Sequence, residues 1–169
     1  MSTQRQGRGT PCSLRTPPIF SLFFLAFQLT FSSIENHPTL NFTVVINPAS
    51  GPGSGTGPDG NYTKEIPRLN SYANVRTVGY VSTDWAKRDV ALALQDISTY
   101  GEWSRKASAK GIDMHGIFLD ETPSQYDTAS AEYYETIASA VRSDDGLGTD
   151  PLVCLFPLFF SNFEFPCPV

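Results

Sequence analysis

The chain has 169 residues, of which 40% are hydrophobic and 17% are charged, and its formal net charge is −5. This length and composition predict one globular domain and exclude a largely disordered chain. Residues 1–34 contain three arginines and no acid, so the rest of the chain carries the other 9 of the 12 basic residues against all 17 acidic ones. Nucleic-acid phosphates require basic side chains, so we expect no nucleic-acid partner.

The first 33 residues differ from the body of the chain. A polar leader covers residues 1–18, and the apolar run "IFSLFFLAFQLTF" follows at 19–31. A bilayer span needs about 20 apolar residues, so we expect no stable membrane span. A basic leader before a short apolar run is typical of a signal peptide, although no A-x-A cleavage site follows. We expect residues 1–33 to be a poorly ordered leader and the protein to be secreted or displayed at the cell surface.

From residue 42 onward, apolar β-branched segments alternate with segments of helical spacing. The predicted strands are 42–47, 75–81, 114–120 and 150–156. The predicted helices are 61–72, 86–100 and 128–142. A strand–helix repeat of about 35 residues indicates βαβ units and a parallel sheet.

Local sequence features give further predictions for the first two helices and for the loop that precedes the first helix. Pro67 is expected to kink or shorten the first helix. Thr83 or Asp84 is expected to cap the second. The glycine-rich loop 51–57 has neither GxGxxG nor GxxxxGK[ST] spacing, so we predict no nucleotide cofactor.

The cysteines and histidines give no sign of a metal site. Cys12, Cys154 and Cys167 lie outside the central body, and no CxxC pair or Cys/His cluster of zinc spacing occurs. His37 and His115 are far apart in sequence. We therefore predict no metal and no other cofactor.

Two architectures fit the strand–helix alternation: an open doubly wound sheet and an eight-stranded barrel. A barrel typically needs about 250 residues, and this chain offers about half the strands. The spacing alone therefore favours the open sheet.

Two adjacent carboxylates, Asp120 and Glu121, follow the apolar third strand. In parallel α/β folds, chemistry is located at the carboxyl ends of the strands. Paired carboxylates can divide acid and base roles, as they do in glycoside hydrolysis. In a regular strand, however, adjacent side chains point to opposite faces. The alternative is that Asp120 only ends the strand and Glu121 is solvated.

Other strand ends supply groups that suit a sugar. Asn47 follows the first strand, and Tyr80 lies near the end of the second, close to Ser82, Thr83 and Trp85. Amides and hydroxyls can bond sugar hydroxyls, and aromatic faces can pack on a pyranose ring. We take Asn47 and Tyr80 as candidate substrate-binding residues, although Tyr80 would equally suit a core position.

Three blocks of the sequence resemble the spherulin-4-like cell-surface proteins of fungi and slime moulds. They are "NFTVVINPASGPG" (41–53), "IPRLNSYANVRTVGYVST" (66–83) and "GIDMHGIFLDETP" (111–123). They occur in the family's order, within a similarity that runs from about residue 34 to 153. This defines a predicted domain at 34–153.

The resemblance implies a (β/α)₈ TIM barrel, which favours the barrel over the open sheet, and a secreted protein. It also implies a glycoside hydrolase acting on polysaccharide with α-1,4-linked N-acetylgalactosamine, such as galactosaminogalactan. The family's adjacent Asp-Glu pair falls on Asp120 and Glu121, which the resemblance therefore assigns to the catalytic site.

The sequence departs from the family at both ends. The apolar run at 19–31 stands where the family has its first strand, and "CLFPLFFSNFEFPCPV" (154–169) replaces an Asn-Pro-Gly strand end. We expect 154–169 to be an unstructured tail, and only about four to five of eight βα units to be present in a truncated or mis-spliced member. A further family glutamate is absent. The expected function is a polysaccharide hydrolase that is inactive as this fragment, and the alternative is a non-catalytic carbohydrate-binding or structural protein of the same family.

Overall fold

The computed structural model describes residues 19–125 and 127–157 of the chain. Its helices are α1 (Ile19–Asn36), α2 (Tyr62–Asn70), α3 (Val90–Ala107) and α4 (Thr128–Ser143). Its strands are β1 (Phe42–Ile46), β2 (Val75–Ser82), β3 (Gly116–Thr122) and β4 (Leu152–Pro157). Short 3₁₀ helices at Ser108–Lys110 and Asp145–Leu147 follow α3 and α4.

The four strands of the described residues form one sheet in the order β1-β2-β3-β4. All three pairings are parallel. The predicted α/β fold with a parallel sheet is therefore confirmed. β3 begins two residues later than predicted and continues through both carboxylates.

One face of the sheet packs on the helices, and the other does not. Buried side chains from all four helices and from the strands belong to one hydrophobic cluster that includes Phe31, Ile34, Ile46, Ile66, Leu69, Val81, Ile97, Tyr100, Ile117, Leu119, Ile137 and Val141. Side chains alternate along a strand, so Val81 and Leu119 face the helices while Tyr80 and Phe118 face the other way. On this second face, which we call the open face, Val45 and Phe156 are 37% and 43% exposed.

Part of the predicted leader belongs to the fold. The predicted boundary between residues 33 and 34 falls inside α1. Phe31 and Ile34 are both only 1% exposed, and Phe27 packs against the same cluster. The apolar run at 19–31 that resembled a signal segment is thus helical, and its last residue supplies core packing; residues 1–18 lie outside the described residues. None of the helices within the described ranges is both long enough and apolar enough to cross a membrane.

The sheet extends beyond the predicted domain end at residue 153. β4 continues through Pro157, with Cys154 paired to Phe118 and Leu155 paired to Leu119. The first four residues of the predicted tail are therefore strand. The prediction for residues 158–169 lies outside the described residues.

Aspartate side chains cap the starts of α3 and α4. The Asp89 carboxylate accepts from the Ala91 backbone N–H to cap α3, and the Asp127 carboxylate accepts from the Ser130 N–H to cap α4. The predicted caps of α3, Thr83 and Asp84, are wrong, because the loop after β2 bonds to β3 instead. α2 contains Pro67 and has only nine residues, as expected for a proline inside a helix.

Candidate active site

The carboxyl ends of β2 and β3 bring the two acids together with two hydroxyl side chains. In the sheet register Tyr80 is paired with Phe118, and Ser82 is paired with Asp120. Tyr80, Ser82 and Asp120 therefore share the open face. The side chains of Tyr80, Ser82, Asp120 and Glu121 are all partly buried.

Both carboxylate oxygens of Asp120 accept hydrogen bonds. The Tyr80 hydroxyl donates to Oδ2 across 2.8 Å. The backbone N–H of Glu121 donates to Oδ1, also across 2.8 Å. An amide N–H can only donate, so Oδ1 must present a lone pair. This arrangement fixes the orientation of the Asp120 carboxylate at the end of the strand.

Glu121 reaches the same face as Asp120 because the strand is irregular at this point. Alternation would send Glu121 to the helix side with Leu119. The register between β3 and β4 shifts between Leu119 and Thr122, and Glu121 has a left-handed backbone with φ 57°. Its Oε2 accepts a hydrogen bond from the Ser82 hydroxyl across 2.6 Å. The bulge thus resolves the difficulty that adjacent residues of a regular strand point apart.

Buried Thr83 fixes the backbone of both acids. Its hydroxyl lies 2.9 Å from the Asp120 carbonyl oxygen and 3.1 Å from that of Glu121. The same hydroxyl is 2.7 Å from the Tyr134 hydroxyl on α4. The Trp85 backbone N–H donates to the Glu121 carbonyl oxygen across 2.8 Å. The loop after β2 therefore holds the end of β3 in its unusual conformation.

The pKa of Tyr80 reflects the electrostatics of the site. Burial raises the pKa of its hydroxyl to about 12, and the hydrogen bond to Asp120 and the charges of Asp120 and Glu121 act in the same direction. Arg88 opposes this shift. The Arg88 guanidinium donates to the Ser82 carbonyl oxygen at 2.9 Å and to Asp96 at 2.7 Å. Tyr80 therefore stays a neutral donor to Asp120 at neutral pH.

Asn47 has different hydrogen-bond partners from Tyr80. Its side-chain oxygen accepts from the Gly51 backbone N–H across 3.0 Å, which closes the loop after β1. Its backbone oxygen accepts from the Tyr62 hydroxyl across 3.0 Å. Asn47 is exposed. The structure joins Tyr80 to the predicted catalytic pair, whereas Asn47 organises its own loop.

Sequence reasoning did not identify the supporting roles of Ser82, Thr83, Arg88 and Tyr134. The sequence indicates Ser82 only as a sugar-type group at a strand end, and Thr83 as such a group or as a helix cap. The alternation of β2 could have placed Ser82 beside Tyr80. No local sequence pattern predicts the role of Tyr134, because its hydrogen bond with Thr83 joins residues that are 51 positions apart.

Across the described ranges, no group of three or more His, Cys, Asp or Glu side chains is placed to hold a metal ion.

Comparison with known proteins agrees with the fold and with the resemblance. Residues 25–164 match the model of the family described as Spherulin4, spherulation-specific family 4. The chain belongs to this family. The match to the Spherulin4 model begins before and ends after the predicted domain at 34–153. No curated protein sequence matches the chain.

A solved structure is similar to this Spherulin4 member. It is the crystal structure of Aspergillus clavatus Sph3 in complex with GalNAc, which is 47% identical with a TM-score of 0.73. The similarity covers 77% of this chain and 51% of that chain. The chain thus spans about half the length of the Sph3 structure.

Proposed function

We propose that this domain is part of a glycoside hydrolase that cleaves polysaccharide containing α-1,4-linked N-acetylgalactosamine, with Asp120 and Glu121 as its catalytic carboxylates. The observation that carries the proposal is that both carboxylates lie on the open face at the carboxyl edge of the sheet, held by Tyr80 and Ser82. The GalNAc bound to Sph3 supports the choice of sugar. No cofactor is needed for such chemistry.

The hydrogen bonds suggest how the two acids divide the work. Asp120 Oδ1 faces an N–H, which suits a carboxylate that attacks the sugar or stabilises positive charge. Glu121 faces a serine hydroxyl, which can rotate to donate to a carboxylate or to accept from a carboxylic acid. Glu121 therefore suits the group that gives and takes the proton of the glycosidic oxygen.

We also propose that the four βα units are about half of a (β/α)₈ barrel. A doubly wound sheet carries helices on both faces. Here all four helices share one cluster on one face, and the strands run in parallel chain order. The open face, with its partly exposed apolar side chains, would become the barrel interior.

Hydrolysis of a purified N-acetylgalactosamine polymer tests the proposed activity. A version of the protein in which the remaining βα units complete the barrel should shorten the polymer, and the new reducing ends can be counted. Asp120→Asn and Glu121→Gln should each lower turnover at least about a hundredfold, since general acid–base help contributes roughly 10²–10⁴-fold. Glu135→Gln, an exposed carboxylate change on α4, is the matched control and should leave turnover unchanged. Turnover that survives both site substitutions in folded protein would mean that the acids only end the strand.

A non-catalytic carbohydrate-binding or structural protein of the same family is the second candidate. It is favoured by the GalNAc bound in the Sph3 structure, since binding of the sugar by a relative does not require cleavage. Such a protein would retain the polymer in a pull-down without shortening it, and the two carboxylate substitutions would change retention but generate no difference in reducing ends.

We propose a secreted or cell-surface location. Asn41 lies in an Asn-Phe-Thr sequon and is exposed, as a glycosylation acceptor must be. Expression in a eukaryotic secretory host followed by glycosidase digestion tests this. A mass shift that disappears in Asn41→Gln would support the location, and the absence of protein from the medium would contradict it.

A further inference from the structure

Residues with strained backbone conformations lie at the edge of the sheet that carries the acids. In the described part of the chain, the non-glycine residues with positive φ are Ser50, Asp84, Trp85, Ala86 and Glu121. All of them follow or end a strand at its carboxyl end. Such conformations are unfavourable for residues other than glycine, and they cluster at active sites and ligand-binding sites. Three consecutive ones in the loop after β2 are therefore unlike an ordinary turn.

Trp85 is the most unusual member of this group. A bulky side chain at φ 52° is a genuine outlier, and glycine or asparagine would accept this backbone more easily. The conformation is fixed by the bond from Trp85 N–H to the Glu121 carbonyl oxygen and by a bond from Lys87 N–H to the Asp84 carbonyl oxygen across 2.9 Å. The backbone of Trp85 is thus held one hydrogen bond away from a proposed catalytic residue.

The exposure of Trp85 contrasts with that of Trp103. Trp103 is 1% exposed and packs edge-on against Tyr100, with ring centroids 4.9 Å apart. Trp85 is 36% exposed. Core packing therefore explains Trp103, whereas it leaves a large part of the Trp85 indole available to a ligand.

We propose that Trp85 is a stacking residue for a pyranose ring next to the catalytic carboxylates. The inference rests on the proposed function, to which it adds a specific binding contact. The electron-rich face of an indole attracts the partly positive C–H groups on the apolar side of a sugar ring, and its N–H can reach a hydroxyl. The strained, hydrogen-bonded loop would hold the indole in place before the sugar arrives, which lowers the ordering cost of binding.

Tryptophan fluorescence under GalNAc titration tests the contact directly, because the chain has two tryptophans and one is buried. GalNAc should change the emission of the unmodified chain. Trp103→Phe should keep that change, since it leaves Trp85 as the single reporter. Trp103 Nε1 has no hydrogen-bond partner among the described residues, so this variant removes no polar contact. Trp85→Leu should abolish the change, and its circular dichroism should match that of the unmodified chain.

Binding measured without fluorescence completes the test. By isothermal titration, Trp85→Leu should weaken GalNAc binding roughly threefold to tenfold, the range expected for one aromatic stacking contact. Equal affinity of Trp85→Leu and the unmodified chain, or an emission change that persists in Trp85→Leu, would overturn the proposal. So would the absence of any GalNAc binding. A protein with the completed barrel that binds GalNAc through Trp85 but does not cleave the polymer would uphold this contact while refuting the hydrolase proposal, so the two failures are distinguishable.

Discussion

The Ser82 hydroxyl donates to Glu121 Oε2 across 2.6 Å, and it holds on the open face a side chain that strand alternation would send toward the helices. Ser82 lies on that face because it is paired with Asp120 in the register of β2 and β3. This hydroxyl therefore holds the Glu121 carboxylate on the face that carries Asp120. Removal of the Ser82 hydroxyl should therefore lower activity.

In the protein with the completed barrel, Ser82→Ala should lower polymer hydrolysis about tenfold or more. A hydrogen bond to a charged group contributes roughly 1.5–3 kcal/mol, and about 1.4 kcal/mol corresponds to a factor of ten. The loss should fall mainly on kcat, since Glu121 would be misplaced for proton transfer. Ser82→Thr keeps the hydroxyl and should restore part of the rate.

Ser139→Ala is the control for Ser82→Ala, because Ser139 is exposed on α4. Its kinetics should equal those of the unmodified chain. Full activity in Ser82→Ala would show that the 2.6 Å bond does not position Glu121 for the reaction.

The backbone of Glu121 should be measurably strained. Glu121→Ala and Glu121→Gly both delete the carboxylate, but only glycine accepts φ 57° without a steric penalty. Relief of about 1–2 kcal/mol in the left-handed region should outweigh glycine's greater entropy in the unfolded chain. We expect Glu121→Gly to be the more stable of the two in urea unfolding, by about 1 kcal/mol or less.

A comparison of alanine and glycine in a regular helix makes the strain test specific, because their order of stability should be reversed there. At exposed Ser139 in α4, alanine should be more stable than glycine by about 1 kcal/mol. If glycine were the less stable residue at both positions, the left-handed conformation of Glu121 would not be a source of strain.

Tyr80 should titrate well above an ordinary tyrosine. Its pKa is raised to about 12, chiefly by burial and then by the hydrogen bond to Asp120. A raised folded-state pKa means that its stabilising contribution is complete below pH 10 and is lost as the pH rises from about 10 to about 12. The phenolate absorbance that is present in the unmodified chain and absent in Tyr80→Phe should report this titration.

Asp120→Asn should shift the Tyr80 titration to lower pH, because it removes the carboxylate acceptor and its charge while leaving burial unchanged. An unchanged titration in Asp120→Asn would indicate that the Tyr80–Asp120 contact makes no contribution to the tyrosine pKa.

The strands were predictable because buried parallel strands are continuous runs of β-branched and apolar residues. "FTVVI" and "VRTVGYVS" carry that signal in their own letters. The helix α1 was not predictable, because an apolar run such as 19–31 suits a signal segment as well as a packed helix. Only the contacts of Phe31 and Ile34 with distant elements separate the two possibilities.

The site was predictable in composition but not in geometry. Adjacent acids after a strand indicated Asp120 and Glu121, yet their common face depends on a bulge formed between β3 and β4. The loop after β2 shows the same limit. Thr83 suits a helix cap by local propensity, but its contacts with the Asp120 and Glu121 carbonyls prevail.

Gly116, at the start of β3, should be required for the attachment of β4. It has φ 144°, and a Cβ there would lie 2.1 Å from the backbone oxygen of Leu152 and 2.5 Å from its nitrogen. Backbone atoms of a paired strand cannot move aside as a flexible side chain can, so Gly116→Ala must push β4 away or break its first pairing. We expect a loss of at least about 1–3 kcal/mol in urea unfolding, the usual cost of overpacking. Gly60→Ala is the control, since nothing lies within 4 Å of its added Cβ; equal stability of the two variants would mean that β4 does not lie against Gly116 as described.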